Sequence, residues 1–353
     1  MKAWENNIRK ISPYVPGEQP KDKDIIKLNT NENPYPPAPG VGKVLASMDA
    51  DRLRLYPDPE VKALVHELAN YYNLENDQVF VGVGSDDVLA VAFMTFFNSG
   101  KPILFPDITY SFYPVWCNLF KIPYKTPKLD GEFRMVPQDY YEENGGVVIA
   151  NPNAPTSIYE DLTVLENIIQ HNSDVIVIID EAYIDFAGRS AVELVNQYDN
   201  LLVVQTFSKS RSMAGMRIGY AMGNSELIRA MNDVKYSFNS YTMNMPSILA
   251  GVEAVKDEEY FRESLAKIIE TRQKAIEEFL SLGFSLPESK SNFVFVTHPK
   301  IPAKQIYEAL KEQKIYVRYF DMPRINNYIR VTIGREDEMN RLFTFLKKYL
   351  ENR

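Results

Sequence analysis

Residues 201–220 read LLVVQTFSKSRSMAGMRIGY and combine a strand pattern with a polar turn that holds one lysine. Residues 201–207 form a nearly continuous apolar run, which favours a strand buried on both faces. Lys209 follows in the turn, and a second apolar run, residues 218–222, comes after it. Ligands of open α/β sheets bind in the crevice beyond the carboxyl ends of the strands. The stretch therefore predicts an α/β sheet that carries Lys209 at its ligand-binding edge.

Most lysines in such turns are simply solvated, and Lys209 is singled out by its neighbours. Thr206 and Ser208 supply hydroxyl groups beside it, and Arg217 follows eight residues later. Hydroxyls, a lysine and an arginine at one strand end favour a role in chemistry over a purely solvated one.

The composition limits the classes of function. The 353 residues are 45% hydrophobic and 24% charged, as in ordinary globular chains of one or two domains. A net charge of −8 argues against a nucleic-acid-binding surface. The single cysteine, Cys117, excludes an internal disulfide and fits a reducing compartment. No signal peptide or membrane-spanning run is recognisable, so a cytoplasmic location is expected. The three histidines lie in no metal-ligand spacing, which predicts no metal site.

Short apolar strands alternate with helices over most of the chain. The continuous Val/Ile runs indicate strands covered on both faces, and therefore an α/β fold with a doubly wound, mostly parallel sheet. The predicted strands of this part are residues 79–83, 102–105, 122–124, 147–150, 175–179, 201–207 and 218–222, and the predicted helices are 60–71, 85–97, 109–119, 162–171 and 226–238.

The remaining segments predict an N-terminal arm and a smaller C-terminal domain. Residues 1–40 are rich in proline, which removes donors and blocks helices, so an extended arm is expected around one short strand-like run, residues 25–28. We expect a large domain over 41–258 and a small α/β domain over 259–353. The latter contains predicted helices 260–282, 302–313 and 337–350 and strands 293–297, 315–320 and 328–333.

The run GVGSD, residues 82–86, predicts an anion site. A strand, a glycine turn and a helix start leave free N–H groups whose dipole favours a phosphate. Ser85 is expected to be the N-cap of that helix. The alternative is a helix start that Ser85 and Asp86 satisfy with their own side chains.

Further polar residues follow other predicted strands. Asn153 follows the strand 147–150, and Asp180 and Tyr183 follow the strand 175–179. A carboxylate is costly to bury without a partner, and a salt bridge from Asp180 to Lys209 or Arg217 is the simplest explanation. Pyridoxal phosphate explains the whole set together, because its phosphate, ring nitrogen, phenolic oxygen and aldehyde each require one of these groups.

The chain resembles the fold-type I aminotransferases of class II. The similarity is carried by runs that cover nearly the whole chain in the family's order: SPYVPG (12–17), LNTNENP (28–34), YPDP (56–59), GVGSDD (82–87), ITYSFY (108–113), NPNAPT (151–156), DEAYIDF (180–186), TFSKS (206–210), AGMRIGY (214–220) and YIRVTIG (328–334).

This resemblance implies roles in catalysis and cofactor binding. Lys209 is expected to form a Schiff base with pyridoxal phosphate and to move protons, and Asp180 to pair with the ring nitrogen. Asn153 and Tyr183 are expected to donate to the phenolic oxygen, with Tyr183 also counted as catalytic. The residues expected to hold the cofactor phosphate are Ser85, Asp86, Thr206, Ser208 and Arg217.

The resemblance also assigns aromatic and substrate-binding residues. Tyr110 is expected to stack on the cofactor ring, with ordinary core packing as the alternative. Tyr56 resembles the tyrosine that reaches the cofactor phosphate of the neighbouring subunit, which implies a homodimer. Arg330 is expected to bind a substrate carboxylate or phosphate, and Tyr14 and Arg318 to add phosphate contacts. The alternative for Arg318 and Arg330 is a pair of solvated strand ends.

Three residues depart from the family pattern. Ala154 and Ser157 stand where the family usually has Asn and Gly, and neither position supplies a side chain needed above. Arg211 follows Lys209 closely, and we expect it to alter the pocket and to leave the substrate open.

Among family activities, the runs are most similar to histidinol-phosphate aminotransferases. This implies transfer of an amino group from histidinol phosphate to 2-oxoglutarate, giving imidazole acetol phosphate and glutamate in histidine biosynthesis. A threonine-phosphate decarboxylase and an aromatic amino-acid aminotransferase on the same scaffold are the open alternatives. A non-enzymatic regulatory module is disfavoured, because Lys209 is present and no DNA-binding segment is recognisable.

Overall fold

A seven-stranded sheet forms the centre of the computed structural model, which describes residues 2–20 and 24–351. The strands are β1 (Ile26–Lys27), β2 (Val79–Gly82), β3 (Ile103–Leu104), β4 (Tyr124–Lys125), β5 (Val147–Ala150), β6 (Val177–Asp180), β7 (Leu201–Thr206), β8 (Gly219–Gly223), β9 (Phe293–Val296), β10 (Ile315–Tyr316), β11 (Arg318–Tyr319) and β12 (Ile329–Thr332). The helices are α1 (Pro39–Ala46), α2 (Lys62–Tyr72), α3 (Ser85–Phe96), α4 (Tyr113–Phe120), α5 (Leu162–His171), α6 (Ser225–Phe238), α7 (Met245–Lys256), α8 (Glu258–Ser281), α9 (Ala303–Glu312) and α10 (Glu336–Glu351).

The large sheet has the strand order β2-β8-β7-β6-β5-β3-β4. Strands β3 to β7 pair in parallel, and β8 is antiparallel to both of its neighbours. Strand β2 therefore runs in the same direction as β7. As a consequence, the carboxyl ends of β2, β5, β6 and β7 all lie at one edge of the sheet. The prediction of a mostly parallel, doubly wound sheet is confirmed.

Alternate residues of the central strands pack into two separate apolar layers. Val203 and its equivalents on neighbouring strands face a layer that includes Leu64 and Leu165, whereas Leu202 and its equivalents face a layer that includes Phe93. All three of these layer residues are buried. Burial of both faces explains why the strands carry continuous apolar runs rather than alternating ones.

A three-stranded antiparallel sheet, β11-β12-β9, lies in the C-terminal part of the chain. Its apolar core includes residues of α8, α9 and α10 and also two residues of the predicted arm, Ile26 and Leu28, each 1% exposed. Strand β1 pairs in parallel with β10, so this part of the arm is packed rather than free. The expectation of a wholly extended, unpacked arm is wrong here, because its pairing partner lies almost 300 residues away in the sequence.

Several predicted boundaries also need correction. Helix α1 begins at Pro39, inside the predicted arm, because proline is tolerated in the first turn of a helix. The predicted helix 109–119 begins only at Tyr113, and the predicted strand 315–320 divides into β10 and β11, which belong to different sheets. Residues 1, 21–23, 352 and 353 of the predicted arm and small domain lie outside the described residues. The division at 40/41 and 258/259 stays a prediction.

Within residues 2–20 and 24–351, no helix is both long enough and apolar enough to cross a membrane.

Candidate active site

A cavity of about 710 Å³ opens at the carboxyl edge of the large sheet and reaches the small sheet. The structure brings twelve of the predicted site residues together on its wall: Tyr14, Ser85, Asp86, Tyr110, Asp180, Tyr183, Thr206, Ser208, Lys209, Arg217, Arg318 and Arg330. Asn153 and Tyr56 are not on this wall and are described below. The cavity is large enough for a cofactor and a small substrate together.

Lys209 stands in the turn after β7. The turn is closed by two backbone hydrogen bonds, from Phe207 N to Ile218 O at 3.0 Å and from Met213 N to Phe207 O at 3.0 Å. The Nζ atom of Lys209 donates to the carbonyl oxygen of Thr30 at 3.3 Å and lies 5.8 Å from the ring centroid of Tyr183. A rigid turn thus presents a primary amine to the cavity.

Asp180 ends β6 and is only 5% exposed. Its carboxylate accepts from the Tyr113 hydroxyl at 2.7 Å and from the Ala182 N–H at 3.3 Å. Burial raises the pKa of Asp180 to about 6, although both hydrogen bonds oppose this. Among the described residues Asp180 forms no ion pair, so the expected alternative of a salt bridge to Lys209 or Arg217 is wrong. The site holds a carboxyl group that forms no ion pair with any cation in the described part of the chain.

The start of α3 lies on the cavity wall beside Arg217. Gly84 is the N-cap and has a φ of +84°, and Ser85 is the first helical residue. The expectation that Ser85 caps the helix is therefore wrong. Glycine suits this position because a φ of +84° strains any residue with a side chain, and a Cβ atom would also lie 2.5 Å from Nη2 of Arg217. The guanidinium group also lies 3.5 Å from Asp86 Oδ2, so a helix start and a cation face the cavity together.

The hydroxyl groups of Thr206 and Ser208 complete this corner of the cavity. Their oxygen atoms lie 3.0 Å apart, and Thr206 Oγ1 also accepts from the Ser208 N–H at 3.1 Å. Nη1 of Arg217 lies 3.5 Å from Ser208 Oγ. Two hydroxyls, an arginine and the helix start form a donor-rich corner that suits a phosphate group.

Two tyrosines also line the cavity. Tyr110 donates its hydroxyl to Asp86 Oδ1 at 2.8 Å, and burial together with Asp86 raises its pKa well above the usual value. Its ring packs edge-on against Tyr113, so cavity lining and core packing coexist at this residue. Tyr14 stacks on Phe112 with ring centroids 4.6 Å apart. The described part of the arm thus supplies an aromatic side chain to the cavity.

Arg318 and Arg330 are direct neighbours across β11 and β12. Arg330 donates from Nη2 to Asn29 O at 3.0 Å, and its guanidinium carbon lies 5.1 Å from the ring centroid of Phe293. Desolvation lowers the pKa of Arg330. Its Nε atom is buried and has no hydrogen-bond partner in the described part of the chain. The alternative of a solvated strand end is therefore wrong for Arg330, which keeps an unused donor.

Asn153 and Tyr56 lie outside the cavity wall. The Asn153 amide nitrogen donates to Ile108 O and to Thr156 Oγ1, both at 2.9 Å, so its two protons are already used. A donor role toward a ligand requires one of these bonds to be exchanged. Tyr56 is 80% exposed and stacks on Tyr241, with centroids 4.6 Å apart. Neither residue joins the other candidates within this chain.

The residues that depart from the family pattern have separate positions. Arg211 is 6% exposed, donates to Ala254 O at 2.6 Å and lies 4.1 Å from the Phe261 ring centroid. It does not line the cavity, and an effect on the pocket near Lys209 stays a prediction. Ala154 lines the cavity, and Ser157 is buried with a left-handed φ of 64°, which explains why glycine suits that position.

The sequence predicted no role for residues 29–31, although they belong to the run LNTNENP that carries the family resemblance. Asn29 and Thr30 each offer a carbonyl oxygen to a site residue, as described above, and Asn31 donates from Nδ2 to the Tyr183 hydroxyl at 2.9 Å. Backbone acceptors leave no signal in side-chain identity. The concentration of three asparagines in seven residues was the one visible sign of a polar, buried segment.

Comparisons with known proteins show the family of the chain. Residues 23–346 match the aminotransferase class I and II family. The chain belongs to this family. This aminotransferase is 51% identical over 351 residues to histidinol-phosphate aminotransferase of Lactococcus lactis subsp. cremoris (strain MG1363), with 99% of each chain covered. It is 52% identical over 349 residues to histidinol-phosphate aminotransferase of Clostridium botulinum (strain Kyoto / Type A2), again with 99% of each covered.

Solved aminotransferase structures share the fold. The histidinol-phosphate aminotransferase from Clostridium acetobutylicum superposes with a TM-score of 0.86 at 23% identity, covering 93% of this chain and all of that one. The enzyme of the same name from Sinorhizobium meliloti, in complex with pyridoxal-5'-phosphate, gives 0.85 at 24% identity, covering 93% and 91%. At these identities the likeness establishes the fold.

Proposed function

We propose that this aminotransferase binds pyridoxal phosphate and transfers the amino group of histidinol phosphate to 2-oxoglutarate, giving imidazole acetol phosphate and glutamate. The observation that carries the proposal is the presence of two separate cationic corners on one cavity wall. Arg217 lies near Ser208 and Asp86 at the start of α3, and Arg318 and Arg330 lie on the small sheet. One corner suits the cofactor's phosphate and the other suits the substrate's. Relatives about 51% identical over the whole chain carry the name of this activity.

The residues of the cavity fit pyridoxal phosphate. Asp180 is a buried carboxyl group that forms no ion pair within the described residues, and a protonated ring nitrogen supplies the cation that it lacks. The donor-rich corner formed by Thr206, Ser208 and Arg217 suits the phosphate. When bound, the cofactor supplies an electron sink for the substrate carbon that loses its proton.

The chain's own groups then divide the work. Lys209 Nζ would hold the cofactor covalently, and as a free amine it would take the proton from the amino-bearing carbon of the substrate and pass it to the cofactor. Asp180 keeps the ring nitrogen protonated. Tyr183 and Asn153 serve the phenolic oxygen as donors, the latter after exchanging one bond. Tyr110 would cover the ring face, and Ser85 and Asp86 would border the cofactor's phosphate.

The substrate is held from the small sheet. Arg330 has a buried Nε donor without a partner among the described residues, and Arg318 lies directly opposite it in the sheet. A guanidinium fork suits either a phosphate or a carboxylate, so the same pair serves histidinol phosphate in one half-reaction and 2-oxoglutarate in the other. Burial raises the pKa of Tyr14 although Arg318 and Arg330 oppose this, so Tyr14 lies close to both arginines and adds a hydroxyl donor for the substrate's phosphate.

The proposal includes a cytoplasmic homodimer with shared sites. Tyr56 is 80% exposed, and its neighbourhood carries the exposed apolar residues Leu53 and Leu55. An aromatic ring and two leucines in this position suit a subunit interface that brings Tyr56 to the partner's cofactor phosphate. Sedimentation is expected to give a dimer. Tyr56→Phe is expected to weaken cofactor binding without dissociating the dimer.

The test combines chemical trapping with rates. Protein incubated with pyridoxal phosphate and reduced with borohydride is expected to carry the cofactor on Lys209, identified by peptide mass, and Lys209→Ala is expected to carry none there and to lose the half-reaction. Steady-state rates with 2-oxoglutarate are expected to favour histidinol phosphate over phenylalanine. Faster turnover of phenylalanine, or release of carbon dioxide from threonine phosphate, contradicts the proposed substrate. Absence of the Lys209 adduct contradicts the whole proposal.

A further inference from the structure

The hydrogen bond between Asn31 and Tyr183 is part of a short chain of polar groups that starts on the small sheet. Asn31 and Thr332 are 1% and 2% exposed. The backbone N–H of Asn31 donates to Thr332 Oγ1 at 3.0 Å, and Thr332 Oγ1 lies 3.1 Å from Asn31 Oδ1. Asn31 Nδ2 in turn lies 2.9 Å from the Tyr183 hydroxyl. Three residues distant in sequence therefore share one continuous network.

The placement of the Asn31 amide atoms sets the direction of this network. A threonine hydroxyl carries one proton, and an amide oxygen carries none. Between Thr332 Oγ1 and Asn31 Oδ1, only the hydroxyl can donate. In the structure the amide oxygen of Asn31 faces Thr332, and its NH₂ group faces Tyr183. Since Nδ2 can only donate, the Tyr183 oxygen must accept this bond.

A tyrosine oxygen that accepts one bond retains its own proton for another. No acceptor for the Tyr183 proton is present among the hydrogen bonds of the described residues, and the ring lines the cavity 5.8 Å from Lys209 Nζ. The hydroxyl proton is thus directed away from Asn31 and remains available to a ligand. A donor bond into the oxygen also makes the phenol a stronger donor through that proton.

The Asn31 side chain is held firmly in this position. Its φ of 57° is left-handed, and its carbonyl oxygen accepts from Asn292 Nδ2 at 2.9 Å. Thr332 N also donates to Leu28 O at 2.9 Å, so β12 holds the segment on both sides of Thr30. Asparagine is among the few residues that adopt this backbone conformation readily.

We propose that Asn31 is a positioning residue that makes Tyr183 a one-way donor to the phenolic oxygen of pyridoxal phosphate, and that Thr332 sets the orientation of the Asn31 amide. This inference rests on the proposed function. It extends that function by assigning positioning roles to Asn31, which borders the cavity, and to Thr332, which lies behind it. The small sheet, which carries Arg330, thereby also sets the hydrogen bonding on the cofactor side of the cavity.

The inference predicts a spectroscopic change that is independent of turnover. A donor on the phenolic oxygen withdraws charge from it and weakens its hold on the proton of the neighbouring nitrogen that joins Lys209 to the cofactor. Loss of that donor therefore raises the pH at which the visible absorption of the loaded enzyme changes. One neutral hydrogen bond corresponds to a shift of about one pH unit.

The experiment titrates the visible absorption of loaded wild-type, Tyr183→Phe, Asn31→Gly, Thr332→Val and Thr332→Ser proteins. Tyr183→Phe gives the full upward shift. Glycine fits the left-handed backbone at position 31, so Asn31→Gly removes the amide without backbone strain and is expected to give part of that shift. Thr332→Val is expected to give a smaller shift of the same sign, and Thr332→Ser, which keeps the hydroxyl, is expected to match wild type.

A double variant separates positioning from general stability. If Asn31 acts through Tyr183, the Asn31→Gly/Tyr183→Phe protein has the same midpoint as Tyr183→Phe alone. Additive shifts, or an unshifted Asn31→Gly protein that still carries the borohydride-trapped adduct on Lys209, overturn the inference and leave the proposed function intact. A wild-type protein without that adduct overturns both. Cofactor dissociation constants, measured by fluorescence, are expected to follow the same order.

Discussion

Gly219 on β8 lies directly against the backbone of Ser85 at the start of α3. A Cβ atom at Gly219 would approach Ser85 N to 2.3 Å and the Gly84 carbonyl carbon to 2.2 Å. Backbone atoms cannot swing aside as a flexible side chain does. Gly219→Ala is therefore expected to push the helix start away from the cavity and to destabilise the protein by about 1–3 kcal/mol.

The same substitution is expected to weaken cofactor binding by about tenfold to a hundredfold, because the displaced helix start loses a charge-assisted hydrogen bond to the phosphate. Fluorescence titration with pyridoxal phosphate measures this. Gly215→Ala is the matched control, since nothing lies within 4 Å of a Cβ atom there. Equal affinities for the two variants would show that the helix start does not hold the phosphate.

Asp180→Asn is expected to change the pH dependence of stability in the cofactor-free protein. The folded state raises the pKa of Asp180 from 3.8 to about 6, so it holds the proton more tightly than the unfolded state does. Below about pH 4 this shift does not lower the free energy of unfolding. The loss of stability grows as the pH rises from about 4 to 6 and is complete above pH 6. This shift corresponds to about 3 kcal/mol.

Asparagine keeps both hydrogen bonds, because its oxygen accepts from Ala182 and its NH₂ donates to Tyr113. Urea unfolding at pH 4.5 and pH 7.5 is therefore expected to show the variant gaining stability relative to wild type as the pH rises. Added pyridoxal phosphate is expected to favour wild type at the higher pH. A constant difference at both pH values would contradict the burial argument.

Arg330→Lys is expected to raise KM for histidinol phosphate and for 2-oxoglutarate together. Lysine keeps the charge but loses the planar fork, including the Nε donor that lacks a partner among the described residues. The loss of one hydrogen bond to a charged group corresponds to an increase in KM of about tenfold to a hundredfold. Arg335→Lys, at an exposed position shortly after β12, is the control. An unchanged KM for both substrates would remove Arg330 from the site.

Arg211→Met is expected to destabilise the protein by about 2–3 kcal/mol without altering substrate preference. Arg211 lowers the pKa of Asp185, which burial raises, and its removal leaves that carboxylate uncompensated. Because Arg211 lies outside the cavity, the kcat/KM ratio between histidinol phosphate and phenylalanine is expected to stay constant. Asp185→Asn in the same protein is expected to restore part of the stability. A changed kcat/KM ratio would show that Arg211 does affect the substrate pocket.

The predictable part of this protein lies in its side-chain patterns. Continuous apolar runs were enough to predict the parallel sheet, because strands buried on both faces are typical of parallel sheets. The polar residues that follow these strands then predicted the cavity, because the carboxyl ends of parallel strands lie together. The position of Arg211 was not predictable, since its partners come from α7 and α8, far along the chain. The carbonyl of Thr30, which accepts from Lys209, was invisible because every residue has such a group.

The contact between Asn29 and Arg330 joins residues that are 301 positions apart. During synthesis the N-terminal segment leaves the ribosome long before strand β12 exists, so residues 28–31 wait without their partners while the large sheet folds. Contacts of such long range form late. A nascent chain can therefore form the turn that holds Lys209 early, but its active-site cavity can be completed only when translation is nearly finished.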